Sequence, residues 1–231
     1  QVGFVVLTVV CLIALFFALN EGMQNFEEQR RKKILLRYAL GVSIWVVILC
    51  IVSLSGFTND FSTMPPRPMF FVIIPVIALV LITRSKTTAE ILDQIPPQRL
   101  MQLQSFRIPV ELLLWCLLLG NVIPIQMTFE GYNWDILVGI TGPIFAVLCF
   151  GANKHKKTLA IVWNIAGLIL LANIVIVALL SMPIPIRVFM NEPANTEIAL
   201  FPVIFLPNIL VPMAYYLHVF SIKQMLQRKS K

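Results

Sequence analysis

Long apolar blocks alternate with short polar links along this chain. A helix crosses a hydrocarbon layer about 30 Å thick with about 20 apolar residues, at about 1.5 Å each. Seven blocks approach that length, and they cover residues 2–19, 36–56, 69–83, 108–126, 136–152, 159–181 and 200–221. They are apolar on all sides rather than along one stripe, which argues against a soluble helical core. The pattern predicts an all-α, polytopic transmembrane bundle of seven spans, forming a single domain over residues 1–231.

Local signals refine three of these segments. The first block is expected to be a retained span, since no basic stretch precedes it and no small-residue cleavage site follows. The motif GITGP inside the fifth block suggests a kink or a close approach between helices. In the link 84–107, Thr87-Thr88-Ala89-Glu90 fits a capping box that opens a short helix, which Pro96-Pro97 would end. That helix is expected to lie along the membrane surface.

Basic residues are distributed unequally between the two sets of links, and this predicts an orientation. Sixteen of the eighteen lysines and arginines fall on one side if seven spans alternate. The positive-inside rule then places the N-terminus outside and the C-terminus in the cytoplasm. The basic residues assigned to the cytoplasmic side are Arg30, Arg31, Lys32, Lys33, Arg37, Arg84, Lys86, Arg99, Arg107, Lys154, Lys156, Lys157, Lys223, Arg228, Lys229 and Lys231. The acids assigned to the outside are Asp60, Glu130, Asp135, Glu192 and Glu197.

Composition supports the membrane interpretation and limits the partners. Hydrophobic residues make up 58% of the 231 residues and charged residues 13%, whereas a soluble domain is about a quarter charged. The net charge of +7 is concentrated on the predicted cytoplasmic side, so we expect contact with anionic lipid headgroups and not with nucleic acid. The segment EEQRRKK is expected to be a solvated helix end. The sequence is also compatible with a membrane-protein partner or with a homo-oligomer.

Several known classes of seven-span protein are excluded by missing residues. The last block has no lysine before Lys223, so it lacks the Schiff-base residue of a retinal protein. Two histidines cannot supply a three-histidine zinc site, and His155 lies in a loop, which argues against a bis-histidine haem. His218 is expected near the cytoplasmic interface, in contact with solvent. We therefore predict no cofactor, no metal site and no catalytic residue, and regard a membrane enzyme as less favoured.

Polar residues inside the blocks are the candidates for a ligand site, because intramembrane polar groups usually face partners or cavities. The last block contains three prolines, which free backbone carbonyls, and its Asn208 and Tyr215 are seven residues apart on one face. Asn121 and Asn164 in the fourth and sixth blocks complete the predicted ligand-binding set. Asn164 and Asn173 lie on opposite faces, so they cannot form one site alone, and each asparagine has the alternative role of joining neighbouring helices.

Glu111 is a carboxylate at the start of an otherwise apolar run. It follows Arg107 by four residues, and residues at this spacing share a helix face. The fourth span is expected to begin at residue 108, which places Glu111 about one turn inside the membrane. We therefore predict a structural ion pair between Arg107 and Glu111 at the cytoplasmic entrance, and a midplane proton site is the less favoured interpretation.

Three stretches resemble bacterial seven-span membrane proteins of uncharacterised function. They are MTFEGYNWDILVGITGP (127–143), WNIAGLILLANIVIVALLSMPIPIRVF (163–189) and NEPANTEIALFPVIFLPNILVPMAYYLH (191–218). The likeness covers about the C-terminal half of the chain, and it implies a multi-pass protein of the bacterial inner membrane without a known activity.

Two functions are compatible with these features. In the first, the protein binds or transports a small molecule or lipid in a cavity between helices. Proline-interrupted helices line such cavities in transporters. In the second, it is a non-catalytic accessory or assembly subunit of a larger membrane complex, because its loops are short and carry no recognisable chemistry.

Overall fold

The chain forms an all-α structure, shown by a computed structural model that describes residues 1–152 and 155–227. Four of the basic residues used for the predicted orientation, Lys154, Arg228, Lys229 and Lys231, lie outside the described residues. The α-helices in chain order are α1 (Val2–Glu21), α2 (Glu28–Leu54), α3 (Arg67–Arg84), α4 (Lys86–Gln94), α5 (Pro97–Leu103), α6 (Arg107–Leu119), α7 (Asp135–Phe150), α8 (Lys157–Leu180) and α9 (Val211–Gln227).

Within the described residues, six segments are long and apolar enough to cross a membrane, as expected of a membrane protein. They are α1, α2, α3, the continuous segment Pro97–Leu119, α8 and the segment Leu206–Gln227. The seventh predicted span corresponds to α7, a shorter apolar helix of 16 residues. The solvated helix end predicted at EEQRRKK is present, since α2 begins at Glu28 and its first turn is exposed.

The largest departure from the prediction concerns the fourth span. Helices α5 and α6 are joined by a single 3₁₀ turn, Gln104–Phe106, so the apolar segment starts at Pro97 and not at residue 108. Proline lacks an N–H and is well suited to a first helical turn, so Pro97 begins this helix. The short helix predicted in the link is present as α4, but it begins at Lys86 without a side-chain cap, so the capping box predicted at Thr87 is wrong. Arg107 consequently lies ten residues inside a helical segment of 23 residues instead of at its entrance.

The last span is also displaced along the sequence. It runs from Leu206 to Gln227, starting with a π-helical turn over Leu206–Leu210, whereas the sequence pattern gave residues 200–221. Pro212 has no N–H, so the carbonyl oxygen of Asn208, four residues earlier, lacks the usual α-helical donor. Trp45 Nε1 on α2 donates to that oxygen at 3.2 Å. The prediction that the prolines free carbonyls for other partners is confirmed at this position.

The motif GITGP makes a close approach between α7 and the segment Pro97–Leu119, as predicted. A Cβ atom added at Gly142 would lie 2.6 Å from the carbonyl oxygen of Met101, and one at Gly139 would lie 3.0 Å from the backbone nitrogen of Ile108. Helix α7 runs antiparallel to its neighbour, since Asp135 contacts Arg107 at one end and Gln98 bonds to the carbonyl of Phe150 at the other. Asp135 is thereby held beside the middle of the Pro97–Leu119 segment.

Burial divides the helices into two groups. In the most apolar 18 residues of the Leu206–Gln227 segment, 56% of the residues are buried inside the protein. The same fraction is 39% for α8 and 33% for Pro97–Leu119. The corresponding values are 22% for α1, 6% for α2 and 11% for α3. The interior of the protein therefore lies among Pro97–Leu119, α7, α8 and α9.

Candidate functional site

A connected group of polar side chains lies in this interior, where α6, α7, α8 and α9 meet. We call it the polar centre. Its members are Arg107, Glu111, Asn133, Asp135, Asn164, His218 and Ser221, each of which is 6% exposed or less. Charged side chains are almost never this buried unless they are paired or functional.

Arg107 is the branching point of the polar centre. Its Nη2 donates to Asp135 Oδ2 at 2.7 Å, and its Nη1 lies 3.2 Å from His218 Nε2. A guanidinium has only donors, so His218 Nε2 accepts and the neutral imidazole carries its hydrogen on Nδ1. That hydrogen is donated to Asn164 Oδ1 at 2.9 Å. Asn164 Nδ2 in turn donates to Ser221 Oγ at 2.9 Å. The hydrogen bonds therefore run from Asp135 on α7 through Arg107 on α6 and His218 on α9 to α8, and they return to α9 at Ser221.

Glu111 forms the other branch. Both of its carboxylate oxygens accept from Asn133 Nδ2, at 2.7 and 2.8 Å. Asn133 Oδ1 accepts from the backbone N–H of Asp135 at 3.2 Å, which links this branch to the first α7 residue. Asn133 belongs to the segment between α6 and α7, which returns to the level of Glu111. Since Glu111 precedes the end of α6 by eight residues, that segment extends about 12 Å back into the protein.

The predicted ion pair between Arg107 and Glu111 is wrong as a direct contact. The ion-pair partner of Arg107 is Asp135, at 2.7 Å, and the contact partner of Glu111 is the neutral amide of Asn133. The error follows from the span boundary. With the helix starting at Pro97, Glu111 is neither near an entrance nor able to reach solvent, and it is 2% exposed. Arg107 and Asp135, assigned to opposite sides of the membrane from the sequence, are in contact.

A small cavity of about 20 Å³ adjoins the polar centre. Arg107, Glu111 and Asp135 provide its polar wall, and Leu206 and Leu210 of the π-helical turn are among its apolar lining residues. A cavity needs about 10–15 Å³ to admit a water molecule, so this one accommodates about one. One carboxylate oxygen of the lining residue Asp135, Oδ1, is buried and has no hydrogen-bond partner.

The four predicted ligand-binding residues are not brought together. Asn121 is exposed and follows the end of α6 with a φ of 53°, a left-handed conformation that asparagine tolerates. Asn208 is buried but donates to the carbonyl of Ile204, four residues earlier, and is not a lining residue of the cavity. Tyr215 is half-buried and lies near Arg107 and Asp135 without lining the cavity. Asn164 alone belongs to the polar centre.

Two further expectations concerned His218 and the two asparagines of α8. His218 was expected in solvent near the interface, but it is fully buried against Trp163 and between Arg107 and Asn164. Asn173 donates to the carbonyl of Tyr132 at 2.7 Å, far from the bonds of Asn164. The prediction that these asparagines do not share one site is therefore confirmed.

Sequence reasoning missed Asn133, Asp135 and Ser221. A usable signal was present at Pro97, because proline begins a helix as readily as it ends one. A helix started there places Arg107 and Glu111 in its interior, and a buried arginine requires an acidic partner. Asp135, directly before the next apolar block, is the acid that this argument would have selected.

Comparison with known proteins gives a family without a known activity. The model of the family described as Domain of unknown function (DUF8737) matches residues 65–226. This is more than half of the chain, which therefore belongs to that family. No curated protein and no solved structure matches it. The matched range contains every residue of the polar centre, whereas α1 and α2 precede it.

Proposed function

We propose that this protein binds a small polar solute or ion at the polar centre and carries it across the membrane. The observation that supports this is the set of charged side chains assembled inside the helical bundle. Ionised residues within membrane segments are costly, and they commonly mark ion and substrate pathways. A purely structural core has less need for them, since well-packed apolar residues are often as stabilising as a buried ion pair.

The size and charge of the cavity define the solute class. At about 20 Å³ the cavity has room for about one water molecule, which favours a proton, a small ion or a water-sized solute over a lipid. Two carboxylates and one guanidinium line it, so its polar wall favours positive charge. The π-helical turn at Leu206–Leu210 forms part of the wall, and such turns occur frequently at functional sites.

The topology that accompanies this function has seven crossings. Helix α7, about 24 Å long, completes a crossing together with the segment 120–134 that precedes it. The N-terminus lies outside and the C-terminus in the cytoplasm of a bacterial inner membrane, and the basic first turns of α2 meet anionic headgroups. Reporter fusions test this, with outside activity expected at Ser62 and cytoplasmic activity at Gln94. The reverse pattern would overturn the orientation.

Flux through purified protein in liposomes tests the transport role. Gradients of protons, sodium and potassium are imposed separately, and their decay is followed with indicators enclosed in the vesicles. We expect the wild-type protein to accelerate the decay of at least one gradient. Glu192→Gln, at an exposed residue paired with Arg187, serves as the matched control and should behave as wild type. Asp135→Asn should lose the flux. Folded wild-type protein that moves none of the three ions would overturn ion transport at the polar centre.

A second candidate, the accessory subunit, is favoured by a separate observation. Only 6% of the residues in the most apolar part of α2, and 11% of those in the most apolar part of α3, are buried within the protein. These surfaces contact lipid, or they contact another membrane protein or a second copy. Purification in a mild detergent from native membranes distinguishes the roles. A stoichiometric partner that is lost when apolar residues of α2 are replaced, together with the absence of flux, would support the accessory role.

A further inference from the structure

Only one of the two carboxylates in the polar centre has a cationic contact partner. Asp135 Oδ2 receives the Arg107 guanidinium at 2.7 Å, and the remaining Arg107 contact is with His218. Among the described residues, the amide of Asn133 is the hydrogen-bond partner of Glu111, at both oxygens. An ionised Glu111 would therefore place a second negative charge beside Asp135 in surroundings of low polarity. Burying a charge without a partner is expensive, and the group usually becomes neutral instead.

Asp135, which lines the same cavity as Glu111, has a free acceptor. Asp135 Oδ1 has no hydrogen-bond partner, although the Asp135 side chain is only 8% exposed. Glu111 and Asp135 both line the cavity, which has room for about one water molecule. A proton on Glu111 gives that carboxyl an O–H donor, and Asp135 Oδ1 is an acceptor that lacks one. One proton thus removes the excess charge and completes the hydrogen bonding of the pair.

We propose that Glu111 and Asp135 together bind one exchangeable proton across this cavity, held on Glu111 and donated to Asp135 Oδ1 directly or through one water molecule. This inference rests on the proposed transport function, in which the proton is the transported or coupled ion. Binding takes a proton from water onto a Glu111 oxygen, and release returns it. Asn133 is a positioning residue, because its amide orients the Glu111 carboxyl.

A metal cation is a poor alternative occupant. Sodium and divalent ions require several oxygen ligands, whereas both Glu111 oxygens are already engaged by Asn133 and the Arg107 charge adjoins the same space. Within the described part of the chain, no group of three or more His, Cys, Asp or Glu side chains is arranged to hold a metal ion. A proton needs only one oxygen and forms a covalent O–H bond.

The other ionisable groups around the site have defined roles. Arg107 on α6 neutralises Asp135, and Tyr215 on α9 lies within electrostatic range of both. His218 on α9 is an unsuitable proton carrier. Its Nε2 accepts from Arg107, so a proton there would break that bond and place two positive charges together. Helix α8 contributes the neutral Asn164. This leaves Glu111 as the residue that gains the proton.

Infrared difference spectroscopy of the protein reconstituted in liposomes tests the site. Spectra recorded at two pH values that both lie well above the pKa of an ordinary exposed carboxyl are subtracted, and the carbonyl band of a protonated carboxyl is assigned by its shift in D₂O. We expect one such band in the wild type and its loss in Glu111→Gln. Glutamine resembles protonated glutamate in shape and can donate to Asp135, so this variant should fold. Glu27→Gln, at an exposed residue, is the matched control and should retain the band.

Asp135→Asn provides a second measurement, because it changes the acceptor without removing the proposed carrier. The band should weaken or vanish at the same pH, because without the Asp135 charge an ionised Glu111 is no longer opposed and can serve as the counter-ion of Arg107. Persistence of the wild-type band in Glu111→Gln, or its absence from folded wild-type protein, would overturn the proton site. The flux assay separates this from the transport function. A Glu111 band without flux of any ion removes transport and leaves the proton site, whereas sodium flux without the band removes the proton site alone.

Discussion

Gly167 on α8 is the position where one added methyl group tests the polar centre most directly. A Cβ atom there would lie 2.6 Å from His218 Nε2, closer than non-bonded atoms tolerate. His218 is fully buried, so its ring cannot turn out into a free space. Gly167→Ala must therefore displace the ring from Arg107 and Asn164. Gly41→Ala on α2 is the matched control, because a Cβ atom there meets nothing within 4 Å.

The expected magnitude follows from three contributions. Alanine is favoured over glycine in a helix by about 1 kcal/mol, and this gain applies to both variants and cancels in their difference. Overpacking in a well-packed interior costs about 1–3 kcal/mol. The two hydrogen bonds of His218 add about 1 kcal/mol, at about 0.6 kcal/mol for each bond inside a membrane protein. Gly167→Ala should therefore be less stable than Gly41→Ala by about 2–4 kcal/mol.

The assay is reversible unfolding of the purified variants in mixed micelles, with thermal unfolding as a second measure. Gly41→Ala should match or exceed the stability of the wild type. Pairing Gly167→Ala with His218→Ala, which removes the ring, should remove much of the steric cost. If Gly167→Ala proved as stable as Gly41→Ala, the packing of His218 against α8 described above would be incorrect.

Two further substitutions test the charged groups. Asp135→Asn removes the ion-pair partner of the buried Arg107 guanidinium, so the free energy of unfolding should fall by about 3–5 kcal/mol. The double variant Arg107→Met/Asp135→Leu, which removes both charges, should recover most of this loss. If the double variant were as unstable as Asp135→Asn, this reasoning would be wrong. In the link after α2, hydrogen bonds from Ser62 hold the pKa of Asp60 below its usual value. The stabilisation they provide is present above the usual pKa and is lost as the pH falls through the lowered one. Ser62→Ala should raise that pKa in an NMR titration, and Ser55→Ala should leave it unchanged.

The positions of the apolar helices were predictable, and their ends were less so. Blocks of about 20 apolar residues are a strong signal because a membrane requires continuous apolar length. The segment 97–107 was assigned to a link because Gln98, Arg99 and Arg107 interrupt the apolar pattern. The interruption is tolerated because Gln98 bonds to the carbonyl of Phe150 and Arg107 is paired with Asp135. Pairing of this kind is invisible to a hydropathy pattern.

The ligand-site prediction failed for a related reason. Asn121, Asn208 and Tyr215 are polar residues in apolar surroundings, which is why the sequence pattern selects them. The identity of a polar residue does not reveal whether its hydrogen-bond partner lies in the same helix or in another one. Asn208 satisfies its donor within its own turn, and Asn121 ends a helix. Asn164, selected on the same grounds, joins His218 to Ser221. Whether each polar side chain joins the polar centre depends on which face of its helix points to the interior, and helix packing sets that orientation.

The sequence by itself determined that the chain is helical and belongs in a membrane, because those properties depend on composition and on the length of its apolar blocks. It also determined the close approach at GITGP, since only glycine allows such contact. The tertiary structure alone decided that Glu111, Asp135 and His218 meet in the interior. Their meeting depends on the antiparallel register of α7 and on the return of the segment before it. Both are long-range consequences of packing, and no local pattern encodes them.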